Sequence, residues 1–163
     1  MAAGLTGAYA PHPPNVELVT LVAFGSGVLL GAGGAAVAGL MECLYALLNP
    51  WGPVHPVILG AQVAGMALVA LGGALFARLG GPRWPVRRRA LALGAFGAVL
   101  KVVYDVITNV ATGLVFGQVR VWLLQGMVWT AWGALWDMTI FAALGTPLTG
   151  VFAHYRARLS SPA

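Results

Sequence analysis

The sequence predicts an all-α membrane protein, a polytopic bundle of about five transmembrane helices, and two observations carry that prediction. The first is composition. Of 163 residues, 60% are apolar and 8% charged, and mean hydropathy is +0.86. Soluble domains carry about 25% charged residues. Apolar surface on this scale needs lipid as its solvent. The second is a set of runs free of Asp, Glu, Lys and Arg: Leu18–Met41, Cys43–Ala77, Val121–Trp136 and Met138–Ala153. A span takes roughly 20 mostly apolar residues. In lipid the backbone must satisfy its own hydrogen bonds, so such runs become helices. The 23 glycines fit helices packed closely in a membrane.

Residues 1–14 are small and Pro-rich and read as a short non-helical segment. The first seventeen residues carry no Lys or Arg and no compact apolar core, so no secretory signal is expected. A single membrane bundle is expected over 15–158, with a tail at 159–163. Asn15 and Glu17 open an apolar stretch that runs to Leu48. It is too long for one ordinary span and too short for two full ones. Gly31-Ala32-Gly33-Gly34 is a candidate break, which gives two shortened helices at about 16–31 and 34–48. One long tilted helix is the alternative. Asn49 to Pro56 contains three prolines and a glycine and reads as a loop.

The next span is expected at about 57–77. A basic loop follows with Arg78, Arg83, Arg87, Arg88 and Arg89, then a helix at about 88–112 and a short turn at 113–118. The last helix starts near Val119 and reaches about Ala143, with Pro147 kinking or restarting it. The positive-inside rule places the 78–89 loop and the C-terminus, with Arg156 and Arg158, in the cytoplasm. The 49–56 and 113–119 loops then lie outside, in a multi-pass protein of the cell membrane. The net charge of +5 does not point to nucleic acid, because the Arg residues sit at span ends.

Motifs for catalysis and metal binding are not evident. His12, His55 and His154 are scattered, and Cys43 is the one cysteine, placed in an apolar run and read as packing. Gly31-x-Gly33-x-x-Ala36 matches a dinucleotide fingerprint by letter, but no strand precedes it. No nucleophile–base set or P-loop can be named, so neither an enzyme nor a cofactor is expected. Gly27-x-x-x-Gly31 and Gly113-x-x-x-Gly117 read as close-packing surfaces.

Ionisable residues inside spans carry the information, because buried charge in lipid is costly and such groups face the bundle interior. These are Glu42, Lys101, Asp105 and Asp137. Lys101, Asp105, Thr108, Asn109 and Thr112 recur at three- and four-residue spacing and stack on one helical face. That face is either a seam that fixes helix packing or the wall of a ligand cavity. Gln62 and Gln125 fall in the outer halves of neighbouring helices and can add neutral polar contacts. The loop with Trp51 and His55 can cover the same cavity. Trp122 reads as an interfacial anchor. Trp129, Trp132 and Trp136 share a face, for packing or for stacking on a flat ligand. The candidate site is therefore Glu42, Trp51, His55, Gln62, Lys101, Asp105, Asn109, Gln125 and Trp129.

The order of elements is distinctive. Pro14-Asn15-Val16-Glu17 leads into a Gly-rich double helix, and Leu48-Asn49-Pro50-Trp51-Gly52-Pro53-Val54-His55-Pro56 follows. A Gly-rich helix and a basic loop precede Tyr104-Asp105-Val106-Ile107-Thr108-Asn109, and the last helix ends in Thr146-Pro147-Leu148. Over roughly 14–158 this resembles the substrate-binding S component of energy-coupling factor (ECF) vitamin transporters. The resemblance implies a six-helix fold that binds a vitamin or similar small molecule near the external face. It also implies docking on a transmembrane coupling subunit that carries two ATP-binding cassette (ABC) ATPases. Family members place a further helix before the segment matching Pro14-Asn15-Val16-Glu17. Either that first helix is missing here, or the recorded start lies downstream of the true one. A membrane scaffold whose polar seam binds another protein is the alternative function.

Overall fold

Glycine breaks the first apolar stretch. The computed structural model describes residues 18–48 and 53–159; the segment 1–14 and the tail beyond Leu159 lie outside them. Helix α1 covers Val19–Leu30 and α2 covers Gly34–Leu47, joined by a 3-10 turn at Gly31–Gly33. Gly31 has φ 63°, a left-handed value that side chains rarely adopt. In a straight helix Val19 and Glu42 would stand about 35 Å apart. Instead both line one cavity. Ser26 Oγ also donates to the Gly34 carbonyl at 3.0 Å, across the turn. The stretch is a helical hairpin, as the Gly31–Gly34 break leads one to expect, and not a long tilted rod.

Helix α3 spans Pro56–Arg78 and α4 spans Val86–Phe116, with a 3-10 turn at Gly81–Arg83 between them. Helix α5 spans Val119–Ile140, a π-helical segment covers Phe141–Gly145, and α6 covers Thr146–Leu159. All regular structure among the described residues is helical. Two boundaries differ from expectation. Helix α4 continues past Thr112 to Phe116, and only Gly117, at φ 73°, reverses the chain. Gly113 therefore packs against Val119 within that reversal, so Gly113-x-x-x-Gly117 forms a turn and not a packing surface. The last helix stops at Ile140 and not near Ala143, and Pro147 restarts it, one of the two expected outcomes. Pro147 sits in the first turn of α6, where its missing N–H costs nothing. The π segment before it absorbs the change of register, and the Thr146 hydroxyl donates to the Ala142 carbonyl at 2.6 Å.

Four segments are long and apolar enough to cross a membrane: Val19–Leu47, Pro56–Arg78, Val86–Phe116 and Val119–Phe152. The expected count of five is thus met at four. The arms of the hairpin, 12 and 14 residues, are each shorter than the roughly 20 that a full span takes. Large apolar side chains face outward on every helix, among them Leu47, Leu91, Leu114 and Val128. Such a surface suits a lipid surround.

Helix α3 packs against both arms of the hairpin. Gly27 of α1 lies against the Ala70 backbone, and Gly73 of α3 lies against the Phe24 backbone. Helices α4 and α5 run antiparallel, with Gly97 against Asp137 and Gly126 against Asn109. One half of the bundle is filled by aromatic rings. Phe24 contacts Phe76, Phe96 and Phe141 at centroid distances of 5.7, 5.8 and 5.2 Å. Phe24, Phe76 and Phe141 are fully buried. This plug lies toward the basic 78–89 end, and it leaves the other half of the bundle hollow.

Candidate functional site

The hollow half holds a cavity of about 600 Å³, within the range of small-molecule sites. Five helices contribute. Helix α1 gives Val19, α2 gives Glu42 and Tyr45, and α3 gives Gln62 and Met66. Helix α4 gives Lys101, Tyr104, Asp105, Thr108 and Asn109, and α5 gives Trp122, Gln125, Gly126, Trp129 and Thr130.

The α4 stripe is the spine of the site. Lys101, Asp105 and Asn109 are four residues apart, so each stands about 6 Å beyond the last along the helix. Lys101 and Asp105 are buried and form a salt bridge at 2.9 Å. The Lys101 ammonium also lies 5.7 Å from the Tyr104 ring centroid. Thr108 donates its hydroxyl to the backbone carbonyls of Tyr104 and Asp105, at 3.0 and 3.1 Å. Its proton is thus engaged within the helix, and its oxygen can accept only. Thr112 does the same to Thr108 at 2.8 Å but is not part of the wall.

Asn109 sits where α4 and α5 touch. A Cβ at Gly126 would overlap the Asn109 amide, so the missing side chain there makes room for it. The Gln62 side-chain oxygen, Oε1, is buried and has no hydrogen-bond partner among the described residues. Such a group costs free energy until something donates to it. Glu42 is 3% exposed. Beside the cavity Thr20, next to wall residue Val19, donates to buried Asp137 at 3.0 Å.

Seven of the nine residues expected from sequence line this one cavity: Glu42, Gln62, Lys101, Asp105, Asn109, Gln125 and Trp129. His55 does not. It is the N-cap of α3, exposed, and its Nδ1 accepts from the Val57 N–H at 3.3 Å. The His-Pro order explains this, since a capping acceptor followed by Pro opens a helix. Trp51 lies outside the described residues. The tryptophan face divides. Trp129, itself about half exposed, lines the cavity, whereas Trp132 and Trp136 pack edge to face at 5.8 Å and do not line it. Trp122, expected as an anchor, stacks on Phe116 at 5.7 Å and also reaches the wall. Tyr45, Met66, Tyr104 and Thr130 were not expected as site residues from the sequence. Nothing in their spacing separates them from ordinary packing residues.

The arrangement offers a polar spine, two amides and aromatic faces around a volume that suits one small molecule. Comparison with protein-family models, with curated proteins and with solved structures gave no match.

Proposed function

We propose that this chain is a membrane-embedded capture subunit that takes one small molecule into the α1–α5 cavity from the external side. The observation that carries the reading is the asymmetry of the bundle. A walled cavity fills one half and a packed aromatic plug closes the other. A pore would need a continuous path, whereas a capture site needs one open end and a conformational change for release. The unpartnered Gln62 oxygen supports a bound donor group. The resemblance to S components extends the reading to an ECF-type importer, in which a coupling subunit and two ABC ATPases supply the energy.

Two outcomes are expected. Asn109→Ala removes a wall hydrogen bond, at a cost of about 1–3 kcal/mol, or roughly five- to a hundred-fold in affinity. Calorimetric titration with the molecule that co-purifies is the measurement, and thermal unfolding is the control for folding. Equal affinity in wild type and variant would make the stripe a packing seam. For orientation, Arg87→Cys should be shielded from an impermeant thiol reagent added to intact cells, and Gln118→Cys should be labelled. The reverse pattern would place the cavity mouth in the cytoplasm.

A further inference from the structure

Positive charge is concentrated at the 78–89 end of the bundle, and its placement does not depend on what the cavity holds. Helix α4 opens on Val86, Arg87, Arg88 and Arg89, with no acidic residue in its first turn and no side-chain cap. Cations are disfavoured at a helix N-terminus, where the backbone dipole is positive, and an anion is favoured there. The nearby sequence offers no compensation, since no Asp or Glu occurs between residues 43 and 104. The three described carboxylates, Glu42, Asp105 and Asp137, are buried in the bundle, whereas Arg87 and Arg88 are exposed.

A groove lies beside this first turn, lined by Trp84, Pro85, Arg87, Arg88, Leu91 and Ala92. Its aromatic wall is held in place, because the Trp84 ring packs edge to face on buried Phe76 at 5.8 Å. The Arg88 guanidinium carbon lies 4.3 Å from the Trp84 ring centroid. Stacking occupies the face of a guanidinium and leaves its N–H edge for a phosphate. Leu91 and Ala92 follow Arg87 and Arg88 by four residues each, so they share their face about 6 Å further along the helix. Leu91 is exposed. The groove falls between two segments apolar enough to span a membrane, Pro56–Arg78 and Val86–Phe116, which puts it at headgroup depth. Cations at the headgroups with apolar surface one turn deeper match a phospholipid. A soluble anion has no use for Leu91 and Ala92. Arg89 plays a different part: its Nη1 donates to the Pro82 carbonyl at 2.7 Å, and it lies outside the groove. We propose that the groove binds an anionic phospholipid, with its phosphate on Arg87, Arg88 and the α4 N-terminus and an acyl chain along Leu91 and Ala92.

Native mass spectrometry of the full chain in detergent tests this by counting bound lipid as dioleoylphosphatidylglycerol or zwitterionic dioleoylphosphatidylcholine is added. The anionic lipid should bind roughly tenfold tighter or more. Arg87→Gln with Arg88→Gln should abolish that preference. Arg78→Gln with Arg83→Gln removes the same charge outside the groove and should retain it. Glycerophosphoglycerol, the same headgroup without chains, should not displace the lipid at equal concentration. Thermal unfolding checks the fold of each variant. If the groove pair does not fold, Arg87→Gln alone, which leaves the stack of Arg88 on Trp84 in place, should lower the preference about fivefold; no change there overturns the proposal. Equal binding of the two lipids by wild type overturns it as well. So does equal loss in both arginine pairs, the mark of diffuse attraction to a basic loop, and so does displacement by the chain-free headgroup, the mark of a site for soluble phosphates.

Discussion

Asp105→Ala is expected to lower the stability of the bundle by about 3–5 kcal/mol, the typical cost of breaking a buried ion pair from one side. Asp105 and Lys101 are both buried, and their charged atoms meet at 2.9 Å. Removing the carboxylate leaves a buried ammonium 5.7 Å from the Tyr104 ring centroid. A single cation–π contact, about 0.5–2 kcal/mol, does not replace an ion pair there. The double variant Lys101→Met, Asp105→Leu removes both charges and should recover most of the loss. Equilibrium unfolding of detergent-solubilised protein by added SDS is the measurement. A double variant as unstable as Asp105→Ala would show that shape, and not charge, holds this position.

Gly73→Leu and Gly27→Leu should each prevent assembly of the α1–α3 crossing. A Cβ at Gly27 would overlap the Ala70 carbonyl, and one at Gly73 would overlap the Phe24 carbonyl. Backbone cannot swing aside as a side chain can, so even the Ala variants should cost about 1–3 kcal/mol. The Leu variants should exceed that and abolish recovery of folded protein. Two glycines serve as internal controls. Gly33 and Gly60 have nothing within 4 Å of an added Cβ and no positive φ. Gly60→Ala lies inside a helix and should be neutral or stabilising by up to about 1 kcal/mol. Size-exclusion recovery and SDS unfolding read all four. Equal loss at Gly60 and Gly73 would mean that the close crossing is not what these residues supply.

What could be read from the sequence follows from contrast. A polar or charged residue in an apolar run stands out, and its helical spacing gives its face. Lys101, Asp105 and Asn109 were legible for that reason, and so were Glu42, Gln62 and Gln125. Gly31 was legible as a break because three glycines fall within four residues there, and glycine is a poor helix former. Tyr45, Tyr104 and Met66 were not legible, because an aromatic or apolar side chain in a membrane helix looks the same on a cavity wall, in the core or in lipid. The division between Trp129 and its neighbours Trp132 and Trp136 was hidden likewise. A three-four spacing gives a shared face but not the width of the cavity that meets it. His55 stands apart from the cavity wall. A histidine in a loop invites a ligand role, while the following Pro56 marks the helix start that it caps. The π segment at Phe141–Gly145 had no local signal beyond the nearby Pro147. Gly145 within it lies against Leu21 of α1 and Leu93 of α4. The helix count depended on the hairpin, whose arms fall below the length at which apolarity alone identifies a span.

The central claim is that the α1–α5 cavity holds one small molecule, and occupancy tests it most directly. Native mass spectrometry of the protein, extracted in mild detergent from the membrane in which it is naturally made, weighs chain and ligand together. The account predicts one adduct of small-molecule mass per wild-type chain, and its loss in a Thr130→Trp variant that still unfolds cooperatively but has its cavity filled. A wild-type chain of bare mass, or an adduct that persists unchanged when the cavity is filled, would contradict it.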